Sequence, residues 1–147
     1  VQEGRKTYPG LCFLARGGVL GCSMPASVGA ALAHDGPVVC LVGDGGAMYS
    51  PQALWSAAHY RTQVIFVVLN NARYNVLMNV ARDIGCANAN ADRFVGMDIV
   101  EPRIDYLKLA AAMGVPAERA DEPAAIAAAL GRALAGAGPR LIEIAIA

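Results

Sequence analysis

The sequence predicts an α/β domain built on a doubly wound parallel sheet with helices on both faces. Two observations carry this. Residues 38–42 (VVCLV) and 64–69 (VIFVVL) are short, unbroken apolar runs rich in β-branched side chains. They are strand length and lack the alternation of a half-exposed strand, so each reads as a strand buried on both faces. Between them, Ser50-Pro51 opens a helix over residues 51–60, with a hydroxyl N-cap followed by proline at the first helical position. Strand, helix and strand then form a βαβ unit, whose right-handed crossover makes the strands parallel, and the β-α alternation continues downstream.

The other elements follow in order. Residues 1–10 are polar and aperiodic and read as a linker or arm, leaving 11–147 as the domain. Leu11 to Ala15 suggests a short strand. Arg16-Gly17-Gly18-Val19-Leu20-Gly21 is a glycine-rich loop, and a helix over residues 25–34 follows, with Met24, Val28, Ala31 and Leu32 on the apolar side. His34 reads as its C-terminal cap, and His59 as a cation suited to the last turn of the 51–60 helix. Tyr74 to Val80 looks helical. Residues 85–101 mix Asn, Asp and Gly with scattered apolar side chains, as lids and binding loops do. A helix over 104–113 should bury Ile104, Leu107 and Ala111 and stop at Gly114. A short strand over 115–120 and an alanine-rich helix from Pro123, carrying Ile126, Leu130 and Leu134, precede a last strand over 141–146. As the final strand it is expected at the sheet edge, with Glu143 an exposed edge charge rather than an acid catalyst.

Composition narrows the functional classes. The chain has 147 residues, enough for one domain with a real core, and 12 basic residues balance 12 acidic ones. Zero net charge offers nothing to nucleic acid or an anionic membrane. The apolar runs are too short to span a bilayer, and no signal peptide is visible. Cys12, Cys22, Cys40 and Cys86 are widely spaced without a Cys-x-x-Cys, so free, buried thiols in a reducing cytoplasm are expected. The chain starts at Val1, which suggests a piece of a larger protein.

The chemistry centres on Gly43-Asp44-Gly45-Gly46, which follows the first strand, and Asn70-Asn71, which follows the second. In a parallel pair about 4.8 Å apart, Asp44 and Asn71 meet at the carboxyl edge, where open α/β sheets bind ligands. Glycines at such a tight turn cradle phosphate with backbone N–H groups, yet the Asp44 carboxylate would repel one. A divalent cation resolves the conflict: carboxylate and amide oxygens are hard ligands, and Mg²⁺ takes one or two of these with phosphate oxygens and water. A diphosphate held through Mg²⁺ follows. As a dinucleotide fingerprint the stretch fails, because Met48 stands where the third glycine belongs and no acidic residue ends the second strand. Taken singly, Asp44 and Asn71 would each pass for turn residues.

Gly43-Asp44-Gly45, the 24 residues from Gly46 to Leu69, then Asn70-Asn71 resemble the signature of thiamine-diphosphate enzymes. The stretches GDGGAMYS (43–50), QALW (52–55) and NNARY (70–74) are similar to the acetolactate synthase and benzoylformate decarboxylase branch, and the likeness runs from about Gly17 to the end. The resemblance implies the Rossmann-like, thiamine-diphosphate-binding fold, with Mg²⁺ held by the Asp44 carboxylate, the Asn71 side chain and the Arg73 carbonyl. It places Gly43, Gly45, Gly46, Tyr74, Asn75 and Val76 around the diphosphate end. It gives the Gly18 carbonyl to the aminopyrimidine amino group and makes Leu20 the wedge that bends the cofactor. Val76, Leu77 and Val80 would border the substrate pocket, although Asn75 stands where many relatives have glycine. The implied activity is decarboxylation of a 2-oxo acid, with or without carboligation, hence lyase or transferase chemistry in a cytoplasmic dimer or tetramer. The activating glutamate would belong to a pyrimidine-binding domain of the same or another chain, so this chain alone is expected to be inactive. The alternative is a non-catalytic partner module of the same fold that binds no cofactor.

Overall fold

The computed structural model describes residues 19–146. The arm over 1–10, the strand expected at Leu11 to Ala15, Cys12 and Gly18 lie outside them. The elements are α1 (Ser23–Leu32), β1 (Val38–Gly43), α2 (Asp44–Ala47), α3 (Ala53–Tyr60), β2 (Val64–Asn70), α4 (Asn75–Asp83), α5 (Ala87–Asn90), α6 (Tyr106–Ala112), β3 (Ala117–Arg119), α7 (Pro123–Ala135) and β4 (Arg140–Ala145). The strands form one sheet in the order β1-β2-β4-β3, and every pairing is parallel. Helices lie on both faces, as the sequence predicts. On one, α1, α3 and α6 pack over Cys40, Val42, Phe66, Val68 and Leu141. On the other, Ala129 and Ala133 of α7 close over Ile65, Val67, Ile142 and Ile144. Alanines let this helix sit close to the sheet. Burial of Val64, Ile65, Phe66 and Val68 makes β2 the spine, each side chain contributing about 1.5–3 kcal/mol.

Several expectations are corrected. Among the described residues β1 is an outer strand: Cys40 and Val42 are buried, but Val39 and Leu41 are exposed, because α7 covers β2 and β4 and does not extend over β1. The final strand is not an edge strand. β4 is inserted between β2 and β3, and Glu143 is 1% exposed rather than a surface charge. Gly43 to Gly46 is not a simple turn, since the one-turn helix α2 starts at Asp44. Ser50 does not cap α3, whose N-cap is Gln52; its Oγ donates instead to the Gly21 carbonyl at 2.6 Å. Ala33, not His34, is the C-cap of α1, and Leu32 is exposed while Met24 and Val28 are buried. The buried face of α6 is Tyr106 and Ala110, displaced by one position from Leu107 and Ala111. Leu134 is exposed, and Ala129 and Ala133 take the core positions of α7. Of the described thiols only Cys40 is buried, and burial pushes its pKa up; Cys86 is exposed. His59 does sit in the last turn of α3, stacked on Trp55 at 4.8 Å.

Candidate functional site

The register of β1 and β2 sets the site. Gly43 pairs with Leu69, so the chain leaves β1 at Asp44 beside Asn70, with Asn71 one residue further on. Asp44 opens α2, where the first-turn N–H groups favour a negative charge. Its side chain is almost inaccessible, with the residue 4% exposed. Oδ1 accepts from the Gly45 N–H at 2.9 Å, whereas Oδ2 is buried and no described residue donates to it. An unpartnered buried carboxylate oxygen is costly, and a cation beside it removes the cost. The Asp44 carbonyl is held separately by the Tyr106 hydroxyl, which donates to it at 2.9 Å from a fully buried position on α6. Burial, then the Asp44 and Glu143 carboxylates, push the Tyr106 pKa up, so the hydroxyl remains a donor at neutral pH.

Across the edge, residues 70–74 form a shaped turn. Ala72 takes the left-handed conformation with φ 56°, uncommon outside glycine. The Asn70 Oδ1 accepts from the Ala72 N–H at 2.9 Å, and the Asn71 Oδ1 accepts from the Arg73 N–H at 3.2 Å, leaving it a second lone pair. Tyr74 N–H donates to the Met97 carbonyl at 2.8 Å and Ile99 N–H to the Ala72 carbonyl at 2.7 Å; neither bond engages the Arg73 carbonyl. Part of the 85–101 stretch is thereby tied to the turn, with Arg73 bridging to Asp98. The Tyr74 ring lies so close to Gly45 that a Cβ there would sit 2.5 Å from Cε1. Gly45 therefore permits contact between α2 and the start of α4, a role beyond backbone flexibility.

The two glycine-rich loops also meet. The Ser50–Gly21 hydrogen bond ties the second loop to the segment after α2, and Gly21 (φ 85°) lies against Tyr49, where a Cβ would come within 2.7 Å of the Tyr49 Cβ. Among the described residues no three His, Cys, Asp or Glu side chains cluster as metal ligands. The donors at the motif are a carboxylate, an amide oxygen and a carbonyl, a hard set suited to Mg²⁺ and unlike the thiolate and imidazole sets of zinc.

Comparison with known proteins identifies the family. Residues 5–144 match the family described as thiamine pyrophosphate enzyme, C-terminal TPP binding domain. The chain belongs to that family. A Mycobacterium tuberculosis protein, IlvX, named after the acetolactate synthase large subunit, is 39% identical over 132 residues, covering 88% of this chain and 26% of the relative. The benzoylformate decarboxylase of Pseudomonas aeruginosa is 38% identical over 137 residues, covering 92% of this chain and 25% of the relative. The structure of a Rhodococcus jostii thiamine diphosphate-dependent 4-hydroxybenzoylformate decarboxylase superposes with a TM-score of 0.76 at 38% identity, over 84% of this chain and 22% of that one. The chain thus spans about a quarter of the length of the relatives it matches.

For a thiamine-diphosphate-binding domain, the surfaces left open matter as much as the core. Leu20 is 56% exposed and Val76 is 76% exposed, beside exposed Leu77 and Val80. Only Met78 of α4 is buried, so the helix presents its other apolar side chains outward and is not a core helix. Asn75, at the first position of α4, is half-buried. Tyr106, Glu143 and Arg119 were missed as parts of this region. The signal for one of them was present: a carboxylate interrupting the apolar run 141–146 marks either an edge or a buried ion pair, and only strand order separates the two.

Proposed function

We propose that this chain holds the Mg²⁺-diphosphate end of thiamine diphosphate within an enzyme that decarboxylates a 2-oxo acid, with or without carboligation. The observation that carries the reading is the buried, unpartnered Asp44 Oδ2 at the carboxyl edge, next to the Asn71 turn. Asp44, Asn71 and the Arg73 carbonyl would hold the metal, and Gly43, Gly45, Gly46, Tyr74, Asn75 and Val76 would surround the diphosphate. Gly18 and Leu20 would orient the pyrimidine ring. When bound, thiamine diphosphate supplies the electron sink that decarboxylation requires. Residues 11–147 would be one domain of a larger multidomain enzyme, paired with a pyrimidine-binding domain that carries the activating glutamate, in a dimer or tetramer. The exposed Val76, Leu77 and Val80 of α4 support this, since apolar side chains clustered on one helix suit a binding surface. Titration calorimetry of the assembled protein with thiamine diphosphate should show binding that requires Mg²⁺. Absence of binding, or binding indifferent to metal, would sink the reading.

Leu20 provides a separate test. A core leucine cut to alanine loses about 2–5 kcal/mol of stability. Leu20 is more than half exposed, so Leu20→Ala should barely change the melting temperature without cofactor. It should lower kcat more than cofactor affinity, while Leu20→Met keeps most of the rate. Slowed exchange of the thiazolium C2 proton in Leu20→Ala, followed by NMR after acid quench, is the expected signature. Normal exchange together with a large loss of stability would make Leu20 an ordinary packing residue.

A further inference from the structure

Glu143 is a buried charge that the proposed site does not use. It lies in β4, paired with Val68 of β2 on one side and Arg119 of β3 on the other. Its Oε2 accepts from Arg119 Nε at 3.1 Å and Nη2 at 2.8 Å, and its Oε1 accepts from the Asn70 Nδ2 at 2.6 Å. We propose that Glu143 is a positioning residue for the metal-ligating turn, acting through Asn70; this rests on the reading of Asp44 and Asn71 as Mg²⁺ ligands.

A carboxylate can only accept, so the Asn70 NH₂ must face Glu143 and its Oδ1 must face the opposite way. There it meets the Ala72 N–H at 2.9 Å. One charge in the sheet therefore sets the orientation of one amide, and that amide holds Ala72 at a positive φ that alanine otherwise disfavours. Ala72 stands between Asn71 and Arg73, the two ligands proposed on this side. Arg119 holds the other carboxylate oxygen from a half-exposed position, and burial of Glu143 shields the bond to Asn70 from competing water. Outer partners of metal ligands act in this way, by fixing orientation before the ion arrives.

Glu143→Gln keeps the shape but breaks the donor–acceptor logic. If the new amide presents oxygen to Arg119, its NH₂ faces Asn70; Asn70 must then flip and point a donor at the Ala72 N–H. If it presents oxygen to Asn70, two donors collide at Arg119. Adding Asn70→Asp restores the pattern with the charge moved by one position, because the aspartate accepts from both the new amide and Ala72.

Wild type, Asp44→Ala, Glu143→Gln, Arg119→Met and Glu143→Gln/Asn70→Asp are compared in the assembled protein. Affinity for thiamine diphosphate is titrated across Mg²⁺ concentrations, and hydrogen exchange of the Ala72 and Arg73 amides is followed in metal-free protein. Glu143→Gln should weaken Mg²⁺-dependent affinity by about 10- to 100-fold and accelerate both amides. The double variant should return both readouts close to wild type, and Arg119→Met, which leaves the Glu143–Asn70 bond in place, should lower the melting temperature but weaken Mg²⁺-dependent affinity less than Glu143→Gln does. Wild-type affinity in Glu143→Gln while Asp44→Ala loses binding would overturn the positioning role alone. So would a folded double variant without restored affinity, equal losses in Arg119→Met, or failure of both Glu143 variants to fold. Wild-type protein that takes up no cofactor with Mg²⁺ would instead overturn the reading of the site itself.

Discussion

Asp44→Ala is expected to abolish Mg²⁺-dependent binding of thiamine diphosphate while leaving the metal-free domain at or slightly above wild-type stability. The two halves of this expectation have different origins. Asp44 is the one proposed ligand with a full charge. At an effective dielectric of about 20, unit charges 4 Å apart interact by about 4 kcal/mol, so its loss should cost roughly a thousandfold or more in affinity for a divalent ion. The fold, by contrast, gains little from the side chain. Its only hydrogen bond among the described residues is to the adjacent Gly45 N–H, and Oδ2 is buried without a donor. Removing a buried, half-satisfied carboxylate relieves a desolvation cost. The Tyr106 bond is to the Asp44 backbone carbonyl and survives the substitution. Asn71→Ala should weaken binding less, because a neutral oxygen attracts the ion less. Thermal melts in chelator, paired with calorimetry across Mg²⁺ concentrations, read both halves. Unchanged affinity in Asp44→Ala at every Mg²⁺ concentration would remove it from the metal site.

Gly45→Ala should damage both stability and metal binding. The added methyl would meet the Tyr74 Cε1 at 2.5 Å and Cδ1 at 2.7 Å, with the Ile99 Cδ1 at 3.6 Å behind. Tyr74 is the N-cap of α4 and follows Arg73 directly, so moving it moves a proposed ligand. Overpacking of this kind costs about 1–3 kcal/mol. Mg²⁺ adds sensitivity, because its short, near-octahedral coordination tolerates little displacement between the two turns. A double-mutant cycle isolates the cause. If the clash with the ring is responsible, Gly45→Ala should cost little stability in a Tyr74→Ala background. An equal cost in both backgrounds would show that Gly45 answers to something other than Tyr74.

Much of this molecule is legible in one dimension. The runs at 38–42 and 64–69 are strands, the helix between them makes them parallel, and Asp44 and Asn71 share an edge provided the two strands are neighbours, as the β1–β2 pairing shows. These are local or nearest-neighbour consequences: chain length, apolar periodicity and a single crossover rule settle them. What the sequence left open was decided by packing between distant segments. Glu143 has the same local sequence whether β4 is an edge or an inner strand, and its burial depends on β4 entering between β2 and β3, with Asn70 and Arg119 there to satisfy it. Val39 and Leu41 read as buried because their run is apolar, but burial requires a covering layer, and α7 lies over β2 and β4 instead. The Tyr106 hydroxyl finds the Asp44 carbonyl across 62 positions of chain, which no local pattern encodes. The sequence by itself therefore determined the fold class and the two segments that end the strands at the carboxyl edge. Tertiary structure decided which polar groups hold those turns in place, because a buried hydrogen bond depends on where its partner's strand or helix packs, and that is a property of the whole sheet.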